Sequence, residues 1–458
     1  MSAVDAVVVG GGLAGITAAL DMADAGMSVT VVERKAQLGG ATYSFRRNGL
    51  TFDNGQHVFL RSCASYRKLL DRLGMTGKVV LQDRLEIQVL RPGGRSAVLR
   101  RTHGPAPLHL VSSLARYSHL TVADRMSVAN AFRELRRLDP DDQALDAVSF
   151  GEWMDDHGQS PAAREVVWDL LLRATCNVTA EECSLQNAVR VVRTGLLDSA
   201  DAGDIGWSLV PLSDLHGRPG HDALDEAGAD VRLGWEVTSI EGPADAGRAS
   251  GHWRVHGPGG TIRAAAVVVA LPHQVLGRLL PAAALPRSLG SLGTSPIVNV
   301  QVVFDRRVTD VSMAAVVRSP LQWVFDRTRA VGSGGGQCIG VSLSAAEEWL
   351  GGRPQAVASV VLAALEEIFG KVGQAKVNDV VVTRERSATF RASAGSGALR
   401  PGPQTRLPGL YLAGAWTATG WPATMEGAVL SGHAAAAAAA SGAAVPTAIP
   451  LATQRTGG

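Results

Sequence analysis

Cysteine is scarce in this 458-residue chain: Cys63, Cys176, Cys183 and Cys338 are the only four, and no two form a Cys-x-x-Cys pair. That spacing suggests neither a structural zinc site nor a disulfide framework, and it points to buried small hydrophobes in a reducing cytosol. Charge of one sign is lacking too. The net charge is +2 with 19% charged residues, and no aromatic-plus-basic motif occurs, so nothing argues for nucleic acid as a partner. No run of about 18 apolar residues exists, which excludes a spanning helix, and no basic-then-apolar signal segment precedes the first strand. The expectation is a cytoplasmic protein, peripheral on the inner face of a membrane. Its length supports two or more domains, with interleaving allowed.

What is present begins at residue 4. A β-branched run (Val7, Val8, Val9) ends in Gly10, and Gly10, Gly12 and Gly15 form Gly-x-Gly-x-x-Gly. An alanine-rich helical run to Gly26 and a second strand, Val29 to Val32, follow, and Glu33 comes directly after. Strand, turn, helix and strand fill the roughly 30 residues of a βαβ unit. Gly10 serves the tight turn, Gly12 lets backbone approach a pyrophosphate, and Gly15 permits close helix–strand packing. The helix N-terminus adds free N–H groups and partial positive charge, and Glu33 suits ribose hydroxyls. The unit reads as a dinucleotide site. Gly39-Gly40 is a further place where backbone can lie against a phosphate or flavin.

Asn48-Gly49 marks a hairpin returning through Leu50 to Asp53, followed by a polar cluster, Asn54 to His57. Such a cluster lines pockets, and turn chemistry explains Asn54 and Gly55 equally well. Residues 64–74 read as a helix stopped by Gly74, and 84–90 with 95–99 as a hairpin around Pro92-Gly93-Gly94. From Pro107 to Leu138 the chain reads as mostly helical, with Met126, Ala129, Phe132 and Leu135 near one face and Arg133, Arg136 and Arg137 over the remainder. A core-facing helix with a solvated basic side and a helix on an anionic membrane both fit. Trp153, Trp168 and Trp207 read as core. The α/β texture returns with a helix at His221–Ala227 and strands at 230–234, 236–241, 253–256 and near Val267–Ala270, then a strong strand at 296–304. Gly332 to Gly336 reads as a flexible hairpin loop. Near the C-terminus a strand, Tyr411–Ala413, reaches Gly414, and a helix is expected around Pro422–Ala423.

Gly10, Gly12 and Gly15 with Glu33, then Gly39-Gly40, then the glycine-ended strand and the Met425-Glu426-Gly427 helix resemble the amine-oxidase and phytoene-desaturase superfamily of flavoproteins. Residues 53–58, 204–211, 214–217 and 419–429 look most like its hydroxysqualene dehydroxylase subgroup, the squalene-associated flavoenzymes of bacterial hopanoid pathways. The resemblance implies an α/β fold in which a Rossmann-like, glutathione-reductase-type FAD domain (1–75, 216–290 and 405–440) is interleaved with a sheet-plus-helices substrate domain (76–215 and 291–404). The tail, 441–458, is expected to be disordered.

The cofactor implied is FAD. By matching position its contacts are Gly10, Gly12, Leu13, Ala14, Gly15, Glu33, Arg34, Gly39, Gly40, Val237, Gly414, Thr424, Met425 and Glu426. Met425-Glu426 is expected at the flavin N1–C2=O edge, where a positive helix end stabilises an anionic reduced ring. Two residues depart from the superfamily pattern: Ala415 replaces an aspartate that would bond the cofactor, and Ala41 replaces an arginine. The implied reaction replaces the hydroxyl of hydroxysqualene by hydrogen at the expense of reduced FAD, with an unidentified electron donor. Asp53, Gln56 and His57 are the candidates for protonating or orienting that hydroxyl, and Trp416 and Trp421 for facing an allylic cation. A packed histidine and a turn-capping aspartate are the structural alternatives. Other enzymes of the fold (a carotenoid-type desaturase or an amine oxidase) and a non-catalytic FAD- or isoprenoid-binding partner stay open; so few tyrosines argue against an amine cage.

Overall fold

The computed structural model describes residues 3–93, 96–243 and 251–443. The first strand, Val4–Val9, lies inside a seven-stranded sheet, parallel to Val29–Glu33 on one side and Gly260–Val269 on the other. Asp230–Leu233 adds a further parallel strand beyond Val29–Glu33. The far edge of Gly260–Val269 is shared. Trp253–Gly257 pairs antiparallel along its first half and Leu410–Leu412 parallel along its last residues, and Ser239–Glu241 pairs with Trp253–Gly257. A parallel centre is covered on both faces, so its strands read as unbroken β-branched runs. Val7, Val8, Val31, Val267 and Val268 are all fully buried, each stabilising the fold by about 1.5–3 kcal/mol relative to exposure.

Two helices cover this sheet and pack on each other. Leu13–Asp24 follows the first strand, and Met425–Ala443 follows Leu410–Leu412 through a loop. Their contact depends on Gly432, where a Cβ would stand 2.5 Å from the Ala14 carbonyl oxygen and 2.7 Å from Thr17 Cβ.

A second seven-stranded sheet runs in the order Val377–Phe390, Thr294–Phe304, Gln337–Ser344, Trp323–Asp326, Met313–Val316, Glu86–Leu90, Ala97–Arg100. All its pairings are antiparallel except that of Met313–Val316 with Glu86–Leu90. Side chains alternate across a strand. Val298, Val300 and Val302 therefore face the helix Pro354–Ile368, packing in one cluster with its Val357, Val361 and Leu365. Asn299, Gln301 and Val303 face the other way, toward the hairpin of Ser44–Arg47 and Leu50–Asp53. A small sheet of Val58–Leu60, Ile205–Ser208 and Val79–Leu81 joins the regions.

Several local expectations shift. The helix expected across 107–138 is broken: Leu108–Leu110 and Val111–Ala115 end before a turn, and Thr121 then caps Val122–Leu135 through a capping box with Asp124. Its buried side is Val128, Ala131 and Leu135, whereas Met126 and Ala129 point to solvent. Both stripes have helical spacing, and only the neighbouring elements decide which is covered. The helix expected at His221–Ala227 spans Arg218–Glu226, and the strand expected at 236–241 is only Ser239–Glu241. Asn177, in the left-handed region at φ 55°, interrupts the helical stretch between Leu170–Cys176 and Leu185–Val192. Trp153 and Trp168 are buried, and Trp207 is half-buried. Most of the expected tail, 444–458, and Gly94 of the expected turn lie outside the described residues.

Gly432→Leu is expected to wedge the two helices apart and destabilise the protein by about 1–3 kcal/mol. Urea unfolding followed by circular dichroism checks this.

Candidate functional site

The first helix begins with no side-chain cap: Gly12 is its N-cap residue, in extended conformation. Its free N–H groups and partial charge are those of an anion site. Gly10, at φ +108°, lies so close to the next strand that a Cβ would meet the Ala270 carbonyl oxygen at 2.6 Å. A Cβ on Gly15 would collide with the Gly10 carbonyl oxygen. Gly40, at φ +58°, faces Gly12, and a Cβ on it would stand 2.6 Å from Gly12 Cα. Leu13 and Ala14 are buried in the first turn.

Glu33 is buried at the end of its strand, where its carboxylate accepts from the N–H groups of Gly11 and Lys35, both at 2.8 Å. A carboxylate has about four acceptor positions, so it retains capacity for ribose hydroxyls. Arg34 is exposed, and Lys35 instead reaches inward, donating to the Gly40 carbonyl at 3.1 Å and lying over the Tyr43 ring. Val237 is half-buried in the segment after Trp235, whose N–H donates to the Glu33 carbonyl.

At the C-terminal side, Gly414 adopts φ +138° and donates its N–H to Ser431 Oγ at 2.8 Å. The second helix starts at Met425, not at Pro422–Ala423, because Thr424 is its cap: the Thr424 hydroxyl accepts from Gly427 N at 3.1 Å. Glu426 is buried and caps a different helix, accepting from Ser65 N at 3.1 Å and Tyr66 N at 2.7 Å in the first turn of Ala64–Arg72. The loop 415–421 is held by Arg400, which donates to the carbonyls of Ala415, Trp416 and Trp421 and to the Thr419 hydroxyl. Desolvation pulls the Arg400 guanidinium down to about 10.

From Met425 and Glu426 a cavity of about 200 Å³ extends between the helices and the second sheet. Leu170, Leu171, Ala174 and Leu196 line one side, Ile87, Met313, Trp323 and Phe325 another, and Trp421 lies beside the helix start. Gln56 lines it as well. Two of its lining donors, Ser62 Oγ and Arg190 Nε, are buried and without a partner among the described residues. A buried donor without a partner is costly; Ser62 and Arg190 border the cavity, while these two atoms are themselves sealed from solvent.

Three expected site residues, Asp53, Trp416 and His57, are placed otherwise. Asp53 is 5% exposed, and its carboxylate is committed: it accepts from Ser44 Oγ at 2.7 Å, Leu212 N at 2.9 Å and Arg327 Nη2 at 2.5 Å. Burial outweighs Arg327 and raises its carboxyl above the usual value. Asp53 is a structural ion pair, not a group free to serve the cavity. Trp416 is 5% exposed, locked under Gly414 with its indole donating to the Leu271 carbonyl at 3.0 Å, and it does not line the cavity.

His57 does not line the cavity either. Desolvation, helped by Arg327 and opposed by Glu385, pushes its imidazole down to about 4. His216 is fully buried beside Tyr66, at 2.8 Å between Nε2 and Oη, and burial pushes it down to about 3. Both rings are neutral at pH 7. The segment 53–56 is fastened to the second sheet by Gln301, which donates to the Asp53 carbonyl at 2.8 Å, and by Thr383 and Asn299, which donate to the Asn54 carbonyl.

An uncapped helix start after Gly12, glycines packed backbone to backbone and a strand-end acid together define a dinucleotide-type flavoprotein site, and these residues fit FAD. Residues 13–440 match the family model for flavin containing amine oxidoreductase. The chain belongs to that family and is an FAD-dependent oxidoreductase. It is 28% identical over 411 residues to a hydroxysqualene dehydroxylase of Rhodopseudomonas palustris, covering 89% of this chain and 91% of that one. It is 24% identical over 426 residues to a 15-cis-phytoene desaturase of Synechococcus elongatus, covering 88% and 89%. Among solved structures, wild-type putrescine oxidase bound to putrescine superposes with a TM-score of 0.72 at 18% identity, over 95% of this chain and 98% of that one. A putative protoporphyrinogen oxidase from Exiguobacterium superposes at 0.70 and 19%, over 96% and 99%. At these identities the structural likeness establishes the fold.

Ser62, Arg190, Arg327 and Arg400 were not legible as site residues, because no motif surrounds them. In the unfolded chain the His216 imidazole has its ordinary value of 6.5, against about 3 when folded. Its contribution to stability is complete above pH 6.5 and is lost as pH falls, by about 1.4 kcal/mol per unit. Urea midpoints at pH 7 and pH 5 should show this loss together with that of His57, and His216→Asn should lessen it by the His216 share, leaving the part due to His57.

Proposed function

We propose that the protein reduces an allylic isoprenoid alcohol to its hydrocarbon, with hydroxysqualene as substrate and squalene and water as products. The observation that carries this reading is the cavity, an apolar space that starts at the Met425-Glu426 helix end and has Ser62 and Arg190 in its wall. Bound FAD, when reduced, supplies the hydride. The C–O bond breaks as the oxygen takes up a proton and leaves as water, and a C–H bond forms at the same carbon. An external donor returns the two electrons after each turnover.

The chain's residues have three tasks in this scheme. Leu170, Leu171, Ala174, Leu196 and Ile87 hold the hydrocarbon and exclude water from the developing cation. The Trp421 ring stabilises positive charge beside the helix start. Ser62 and Arg190, in the cavity wall, are assigned to hold the departing oxygen, each turning a buried, unpartnered donor toward it. Arginine stays protonated at every relevant pH, so Arg190 orients and stabilises without giving up a proton. Cofactor contacts are assigned to the two helix starts, to Gly39-Gly40 and to Glu33.

None of the four tyrosines lines the cavity among the described residues, which weighs against an aromatic cage for an amine. A carotenoid-type desaturase is the second reading, supported by the match to phytoene desaturases over nearly the same length.

Product analysis by mass spectrometry separates the two. Reduced enzyme given hydroxysqualene is expected to yield squalene, and oxidised enzyme given a polyene to yield nothing; desaturated product from the oxidised enzyme contradicts the proposal. Arg190→Lys keeps a cation beside Asp141, the arginine's ion-pair partner, but removes the Nε–H. It is expected to raise KM for the alcohol about tenfold and to leave competitive inhibition by the hydrocarbon product unchanged.

A further inference from the structure

Four side chains are the most exposed of the large hydrophobics among the described residues: Leu108 at 62%, Val111 at 58%, Val122 at 68% and Met126 at 70%. The next, Val98, is 43% exposed and lies on the adjoining strand, whose Arg100 N–H donates to Ser113 Oγ at 2.7 Å. All five therefore fall within one stretch of the chain. Leu108 and Val111 are three residues apart across the first helical turns, with exposed Ala115 after them. Val122 and Met126 are four apart on the next helix, with exposed Ala129 continuing their stripe. Residues at these spacings share a helix face.

The two helices form one rigid tip. Arg125, in the second, donates to the carbonyls of Ala115 at 2.6 Å, Tyr117 at 3.0 Å and Leu120 at 3.0 Å, and so fastens the end of the first helix and the turn between them. The apolar stripe on Val122–Leu135 is separate from its buried side, Val128, Ala131 and Leu135, so it plays no part in the core. An exposed apolar group of this kind marks an interaction surface.

The charge around it is equally uneven. Residues 96–138 hold seven arginines against two acids, whereas the whole chain has a net charge of only +2. Arg116, Arg133, Arg136 and Arg137 are exposed. Arg100, Arg101, Arg133 and Arg137 pair with acids, whereas exposed Arg116 and Arg136 have no ion-pair partner among the described residues. Exposed apolar side chains near such arginines match the two components of an anionic bilayer, acyl chains and phosphate headgroups. A protein partner would have to carry the same combination.

We propose that this two-helix tip, Leu108, Val111, Val122 and Met126 with Arg116, Arg136 and Arg137, docks the protein on an anionic lipid surface. The tip is linked to the reaction space by packing. Helix Val122–Leu135 packs on helix Leu185–Val192, and Arg190 and Val191 of that second helix line the cavity. The inference rests on exposure and charge and not on the substrate assignment, and its test reads lipid binding, not turnover.

The holoenzyme is mixed with vesicles of phosphatidylcholine alone, or of equal parts phosphatidylcholine and phosphatidylglycerol, and floated through a density gradient. Binding is expected to the anionic vesicles only and to weaken with salt. Val122→Asp with Met126→Asp should abolish flotation while the flavin spectrum and melting temperature stay unchanged, since both side chains lie outside the core. Arg116→Gln with Arg136→Gln should lower the partition coefficient roughly thirtyfold. The proposal is overturned if the wild-type protein does not float, if it floats equally with neutral vesicles, or if the aspartate variant floats like the wild type. A concentration-dependent dimer that the aspartates dissociate would also overturn it, assigning the face to a second copy.

Discussion

Two helices begin beyond the carboxyl ends of two parallel strands of one mixed sheet, and backbone packed directly against backbone keeps them there. Gly15 against the Gly10 carbonyl, Gly40 against Gly12, and Gly432 against Ala14 are three of the places where a side-chain carbon has no room. Each costs the unfolded chain's glycine freedom, and together they bring both helix starts to the same side of the fold. The cofactor site, the cavity that leaves it and the loop above it all take their positions from that arrangement.

The second sheet is attached to this frame by polar side chains that its alternation turns inward. Asn299 and Gln301 alternate with Val298, Val300 and Val302, so one strand serves a hydrophobic core on one face and fastens residues 53–56 on the other. The Asp53–Arg327 pair, both side chains about 5% exposed, completes the fastening. Removing one partner of a buried pair leaves an uncompensated charge, which makes this pair an anchor between regions.

The sequence made the cofactor half of this account readable because its signals are local. Strand, glycines, helix and acid lie within residues 4–33, and the geometry follows from steric rules that need no distant partner. The substrate half was less readable, for a physical reason. Asp53 looks like a pocket carboxylate until Arg327, 274 residues away, is placed against it. Trp416 and Trp421 are equivalent in the sequence, yet the left-handed turn at Gly414 buries one and leaves the other at the cavity. Glu426 lies at the start of its own helix as expected, but its carboxylate caps the helix Ala64–Arg72, a partner some 360 residues away in the chain. Ser62 and Arg190 carry no motif at all. On Val122–Leu135 two stripes had helical spacing, and the one expected to be covered put Met126 and Ala129 in solvent.

The account's central claim is that electrons pass from reduced flavin to an alcohol-bearing carbon at this site. Anaerobic stopped-flow absorbance tests it most directly. Enzyme reduced by one equivalent of dithionite is mixed with hydroxysqualene, and the return of the oxidised flavin spectrum is compared with squalene formed. The account predicts reoxidation without oxygen and one squalene per flavin reoxidised; a flavin that stays reduced in the presence of the bound alcohol would contradict it.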